Sequence, residues 1–172
     1  MTLLEEKVEY CLGEVLKHYP ELSRPLIGIH FKRLRKTTMA TRPVILSLLL
    51  PKHKWRFTLS VYREGADSGR LDLETLSEDA LKGILGHELA HIVQYKKMSR
   101  LGLLCAGFLY GISTSFRKHF EREADMITIH RNLRNELKET RKEQLRTDRS
   151  LSSAYQAFIK NECLSVEEIE KV

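Results

Sequence analysis

The chain has 172 residues, 42% of them hydrophobic, and carries 29 Lys and Arg against 23 Asp and Glu, a net charge of +6. This is enough apolar material for one ordinary core, so a single domain over 1–172 is expected and a disordered chain is excluded. Cys11, Cys105 and Cys163 are far apart and include no CxxC pair, which argues against a disulfide framework or a thiolate zinc site and suits a reducing compartment. Glu5 and Glu6 stand where a signal peptide needs a basic end followed by an apolar run, so the expected location is cytoplasmic, in solution or peripheral to a membrane. The longest uncharged stretch, 101–116, contains three glycines and is shorter than the ~20 apolar residues of a spanning helix.

Leu4, Val8, Cys11, Leu12, Val15, Leu16 and Tyr19 recur at three- and four-residue spacing, which predicts an amphipathic first helix ended by His18-Tyr19-Pro20. The period then changes to two. Ile27, Ile29 and Phe31 alternate with Leu26, Gly28 and His30; 44–50 is apolar on both faces; and Trp55, Phe57, Leu59 and Val61 alternate with Arg56, Thr58, Ser60 and Tyr62. Three strands are expected, the second and third joined as a hairpin through 51–54, with a turn at 65–69 and a short extended piece at 70–73.

The sheet is read as small, mostly antiparallel and basic on its exposed face. Between Glu21 and Glu64 lie ten basic residues (Arg24, Lys32, Arg33, Arg35, Lys36, Arg42, Lys52, Lys54, Arg56 and Arg63) and no acid. The plain reading of this basic segment, 24–63, is a solvated sheet face. An anionic partner is the alternative: a membrane surface, or, with less support, nucleic acid.

Thr75 to Glu78 has the spacing of a capping box, and Leu81, Ile84, Leu85, Leu89, Ile92 and Val93 follow with helical periodicity, predicting a helix over 75–97. The hydrophobic segment 101–116 is read as packed against the protein rather than inserted in a bilayer. No proline or glycine follows Gly111, so 117–172 is expected to be helical. A long charged helix over 117–147 carries Phe120, Ala124, Ile127 and Leu133 on one side; shorter helices follow at 150–160 and 165–172, the last opened by a second capping box, Ser165 to Glu168.

The chemistry lies in residues 87–91, His-Glu-Leu-Ala-His. Positions i and i+4 of a helix share a face, so His87 and His91 can present their imidazoles to one ion while Glu88 projects beside them. Two histidines suit zinc. A chance occurrence of this pattern at this composition has a probability of roughly 0.03, so its surroundings matter. Ile84, Leu85, Leu89, Ile92 and Val93 bury the opposite side of the helix.

A catalytic zinc takes three protein ligands and leaves one position open. The next histidine after His91 is His119, but Phe120 to Asp125 reads Phe-Glu-Arg-Glu-Ala-Asp, with Glu121 and Asp125 at i and i+4. Glu121 could supply the third ligand, with Glu123 its main competitor. Asp125, one turn on, could accept a hydrogen bond from the second nitrogen of a ligand histidine. His119, two positions from Glu121, points to another side of the helix and is read as a surface or packing residue.

HELAH followed by E-x-x-A-D resembles the gluzincin metallopeptidases of the HtpX and CAAX-prenyl-endopeptidase type, including their small soluble relatives, the minigluzincins. The resemblance covers 73–129, about a third of the chain. It implies an α+β, zincin-like fold in which the sheet packs on the HExxH helix and the C-terminal half is largely helical. It also implies one zinc per chain held by His87, His91 and Glu121, with Asp125 supporting a ligand. The chain departs from the large members in lacking the membrane helices that surround the motifs; segment 101–116 occupies their place.

The activity implied is that of a zinc-dependent endopeptidase acting on a peptide or protein, with Glu88 as general base and a further donor, His130, Arg131 or Tyr155, at the oxyanion. The edge of the sheet is the expected seat for an extended peptide. Two other readings are an SprT-like protease acting on nucleic-acid-bound proteins, whose family takes a histidine as third ligand shortly after the helix, and a latent zinc-binding scaffold. No histidine lies between His91 and His119, and a structural site has no use for Glu88.

Overall fold

The computed structural model describes residues 1–34, 37–63, 69–147 and 150–172. The first helix, α1 (Leu3–Leu16), turns Leu4, Val8, Cys11, Leu12 and Val15 inward as its periodicity predicts, and Thr2 and Glu5 close a capping box at its start. Tyr19 follows the helix into the core, where its hydroxyl donates to the Gly86 carbonyl at 2.7 Å.

Three strands, β1 (Ile27–Lys32), β2 (Met39–Pro43) and β3 (Phe57–Tyr62), form one sheet in the order β1-β3-β2. β1 runs parallel to β3 and β2 antiparallel, so the sheet is mixed rather than mostly antiparallel. β3 takes the centre because it is buried on both faces: Phe57, Leu59 and Val61 on one, Ser60 and Tyr62 on the other.

The expected strand at 44–50 is absent. The second strand lies at Met39–Pro43, and the apolar run after it forms a 3-10 helix, Ile45–Leu49. Its apolar residues do not alternate with polar ones, and Pro43 and Pro51, which donate no backbone hydrogen bond, bracket it. Ser47 fixes the turn, its hydroxyl donating to the Val44 carbonyl at 2.6 Å and accepting from the Arg56 amide at 2.9 Å. A second 3-10 helix, Lys52–Lys54, replaces the hairpin turn. Most of the turn expected at 65–69 lies outside the described residues, and 70–73 is not a strand. The chain there bends around the Lys7 ammonium, which donates to the carbonyls of Leu73, Glu74 and Leu76.

The central helix, α2 (Glu78–Lys97), is capped by Ser77, whose hydroxyl accepts from the Ala80 amide, so it begins after the predicted box at Thr75. Four helices follow it directly or in turn: α3 (Arg100–Ile112), α4 (Thr114–His130), α5 (Arg134–Arg146) and α6 (Ser153–Glu162). The last, α7 (Val166–Lys171), carries the predicted Ser165–Glu168 capping box. The long helix expected over 117–147 is therefore two. The break needs neither glycine nor proline, because Asn132 adopts φ 60°, a left-handed conformation that Asn tolerates at a helix end. The turn drops Leu133 into the core and swings α5 back across α2.

α2 accepts α5 closely because the face between them is small. A Cβ on Gly83 would sit 2.2 Å from the Glu136 carbonyl oxygen, and the Thr140 hydroxyl reaches across to the Ala80 carbonyl at 2.7 Å. The main core draws on residues from Leu4 to Tyr155, and a smaller cluster of Ile129, Leu137, Leu164 and Ile169 fastens α7. No helix among the described residues is long and apolar enough to cross a membrane.

Because the clash at Gly83 is with backbone, Gly83→Ala has to push α5 away from α2. A destabilisation of about 1–3 kcal/mol is expected, read as a melting temperature lower by several degrees in differential scanning calorimetry. An unchanged or raised melting temperature would mean that the two helices are not held at this distance.

Candidate metal centre

His87 and His91 lie one turn apart on α2, at the place where α4 crosses it, and α4 brings Glu121 between them. The Glu121 Oε2 atom is 2.9 Å from His87 Nε2 and 3.7 Å from His91 Nε2. The three groups place one ligand atom each within 4.8 Å of one another, and together they could hold a metal ion. Donors around a tetrahedral zinc stand about 3.3 Å apart, so the spacing fits a single ion.

Each ligand is held from behind. His87 Nδ1 bonds to Asp125 Oδ1 at 2.7 Å, leaving Nε2 for the shared site. His91 Nδ1 bonds to the side-chain oxygen of Gln94 at 2.7 Å. The Gln94 amide nitrogen donates to the Phe120 carbonyl and the Glu123 carboxylate, so the amide oxygen faces His91 and the proton of that ring sits on Nδ1. Glu121 is held by Tyr110, whose hydroxyl donates to Oε1 at 2.5 Å and leaves Oε2 to face both imidazoles. Phe120 closes one wall by stacking on the His91 ring, 5.1 Å between centroids.

Asp125 is fully buried and its carboxylate is saturated. Besides His87 it accepts two bonds from the Arg141 guanidinium, at 2.7 and 2.9 Å, and one from the Leu164 amide at 2.8 Å. Burial opposes its ionisation, but Arg141 and His87 outweigh burial and hold the carboxyl below its usual range. Glu121 is likewise held well below the ordinary carboxylate value, its burial outweighed by the two imidazoles. For His87 burial disfavours the charged ring, yet the Asp125 and Glu121 carboxylates push its pKa up to about 10.

Glu88 differs from its neighbours. It is 7% exposed, and its Oε2 is buried without a hydrogen-bond partner among the described residues. A buried carboxylate oxygen normally has one. An orphan of this kind, beside two imidazoles and a carboxylate that share one focus, fits a group of residues that could hold a metal ion.

The structure thus brings the residues of the two motifs, His87, Glu88, His91, Glu121 and Asp125, to one place. Glu123 bonds to Gln94 rather than joining the focus, and His119 is exposed, so the third donor is a carboxylate and not a histidine. The three oxyanion candidates do not join it. Arg131 binds Glu21 and lies over the Tyr19 ring. His130 is exposed beside it, nine residues beyond Glu121 and so about 13 Å further along the helix axis. Tyr155 is tied to Thr38 and Gln144.

Sequence reasoning missed Gln94, Tyr110 and Arg141. Gln94 was open to it, standing three residues after His91 on the same helix face. Tyr110 belongs to another helix, and Arg141 is one of many basic residues in a charged stretch; neither carries a local signal. No protein-family model, curated protein or solved structure matches the chain.

The proton on His87 stabilises the metal-free fold fully below the ordinary imidazole value of 6.5, and this stabilisation is lost as pH rises through about 10. Metal uptake displaces that proton. Adding zinc to the metal-free protein in weak buffer at neutral pH should therefore release at least one proton per chain, with apparent affinity rising with pH. Stoichiometric uptake with no proton release would remove His87 from the ligand set. Asp125→Asn should weaken metal binding by about 10- to 100-fold, read by competition with a chelating dye, since it loses the charge that holds the His87 ring.

Proposed function

We propose that this protein is a zinc-dependent endopeptidase. The observation that carries the reading is the unpartnered, buried Oε2 of Glu88 beside the cluster of His87, His91 and Glu121. Two imidazoles and one carboxylate form a donor set suited to zinc, and three protein ligands are the number a catalytic zinc takes. This agrees with the likeness of HELAH and E-x-x-A-D to the gluzincin pattern.

When bound, zinc supplies Lewis acidity, activating water and polarising a peptide carbonyl. The chain does the rest. His87 and His91 present Nε2, because Asp125 and Gln94 occupy their Nδ1 atoms. Glu121 presents Oε2, because Tyr110 occupies Oε1. Glu88 takes a proton from the attacking water on its unengaged oxygen and passes it to the departing amine.

β2 is an edge strand, and the Tyr95 hydroxyl of α2 donates to its Thr41 carbonyl at 3.3 Å. An extended peptide pairing with that edge would run beside the active-site helix, which supports cleavage of unfolded chain rather than of a compact substrate.

Glu88→Gln keeps the shape of the side chain and removes its basicity. The variant should bind one zinc per chain like the parent and lose about 10²- to 10⁴-fold in cleavage of an unstructured protein, followed by mass spectrometry of the products. Equal cleavage by the two zinc-loaded proteins would remove Glu88 from the reaction. Zinc uptake by the parent with no cleavage of a library of unstructured peptides would favour a latent scaffold.

A further inference from the structure

Helix α3 meets the protein along a narrow line. Leu103 and Ala106 are buried, and Tyr110, on the same side, reaches Glu121. The opposite side is bare: Leu101, Leu104, Phe108 and Ile112 share one helix face and are 71, 58, 66 and 66% exposed. A second bare apolar element stands at its end. In the 3-10 helix Ile45–Leu49, Leu46 and Leu49 are 78 and 77% exposed, and the Arg100 guanidinium of α3 joins the two elements by donating to the Leu49 and Leu50 carbonyls. Single exposed leucines are ordinary on a protein surface, but a cluster drawn from two distant segments is not.

The two segments that form this cluster carry charge of one sign. The chain contains no acid from 22 to 63 and none from 89 to 120, and the contact at Arg100 is where these two stretches meet. Lys52, Lys54, Lys97 and Arg100 are exposed at the border of the apolar residues. The Lys52 ammonium bonds to the Lys96 carbonyl, which holds the basic 3-10 turn against the end of α2.

We propose that this surface docks on an anionic lipid bilayer, with α3 lying in the plane of the interface. Exposed leucine, isoleucine and phenylalanine enter the boundary between headgroups and acyl chains, and the surrounding lysines and arginines meet the lipid phosphates. A second copy of the chain is the less suitable occupant, because a two-fold contact sets each patch against itself and brings like charges together. No spanning helix is required, which agrees with the short length of α3. Docking of this kind is independent of the metal.

Sedimentation with large unilamellar vesicles tests it, using the full chain and comparing pure phosphatidylcholine with a mixture containing about 30% phosphatidylglycerol. The protein should pellet with the anionic vesicles and at least tenfold less with neutral ones, and raising salt from about 0.05 to about 0.5 M should weaken the binding. Leu104→Ser with Phe108→Ser, and separately Leu46→Ser with Leu49→Ser, should each reduce binding at least about tenfold while leaving the circular dichroism spectrum and zinc uptake unchanged. Absence of binding to anionic vesicles, or equal binding by both double variants, would overturn the proposal. So would a concentration-dependent dimer of the parent protein that Phe108→Ser abolishes and vesicles do not compete away.

Discussion

The carboxylate of Asp125 is the joint on which fold and site both depend. It lies out of contact with water and accepts from an imidazole on α2, a guanidinium on α5 and a backbone amide just ahead of α7. A buried charge is costly unless every lone pair is used, and here each oxygen accepts two hydrogen bonds. Its satisfaction therefore requires that α2, α4, α5 and the C-terminal turn be assembled together. The same contact orients His87 and selects which of its nitrogens faces Glu121, so the candidate metal centre takes shape only when the surrounding helices have closed.

The site reads outward from that joint as a series of paired constraints. Every group at the focus has one atom engaged from behind and one turned inward: His87 by Asp125, His91 by Gln94, Glu121 by Tyr110. Glu88 alone of these groups has a buried oxygen that no described residue satisfies. A preorganised frame around one unsatisfied carboxylate suits the proposed activation of water, since such a frame costs no reorganisation. α3 links this frame to the outside. It presents Tyr110 to Glu121 on one side and bare apolar residues on the other, so the segment read as a packed hydrophobic stretch is packed on its inner line only.

What could be read in the chain was what depends on neighbours along it. The 3.6-residue period exposed α1 and α2, the four-residue spacing put His87 over His91 and Glu121 over Asp125, and the Ser165–Glu168 box marked the start of α7. The sheet was less legible. The apolar run at 44–50 has strand composition, but the tie from Ser47 to Val44 and Arg56 and the prolines at its ends wind it into a 3-10 turn. The break at Asn132 was concealed because it uses the one non-glycine residue of the described chain with positive φ. Its stability comes from Leu133 entering a core that periodicity does not reveal.

The sequence by itself determined the two histidines, the glutamate between them, and the acid pair that follows thirty residues on, because helical geometry makes such spacing local. Tertiary structure alone decided that these two helices cross at those residues, that a tyrosine from a third helix holds Glu121, and that Arg141, among many similar basic residues, is the one buried against Asp125. It also decided that two remote apolar segments share one basic face. These relations depend on the packing of small side chains such as Gly83, which lets α5 approach α2, and contacts between distant residues leave no period along the chain.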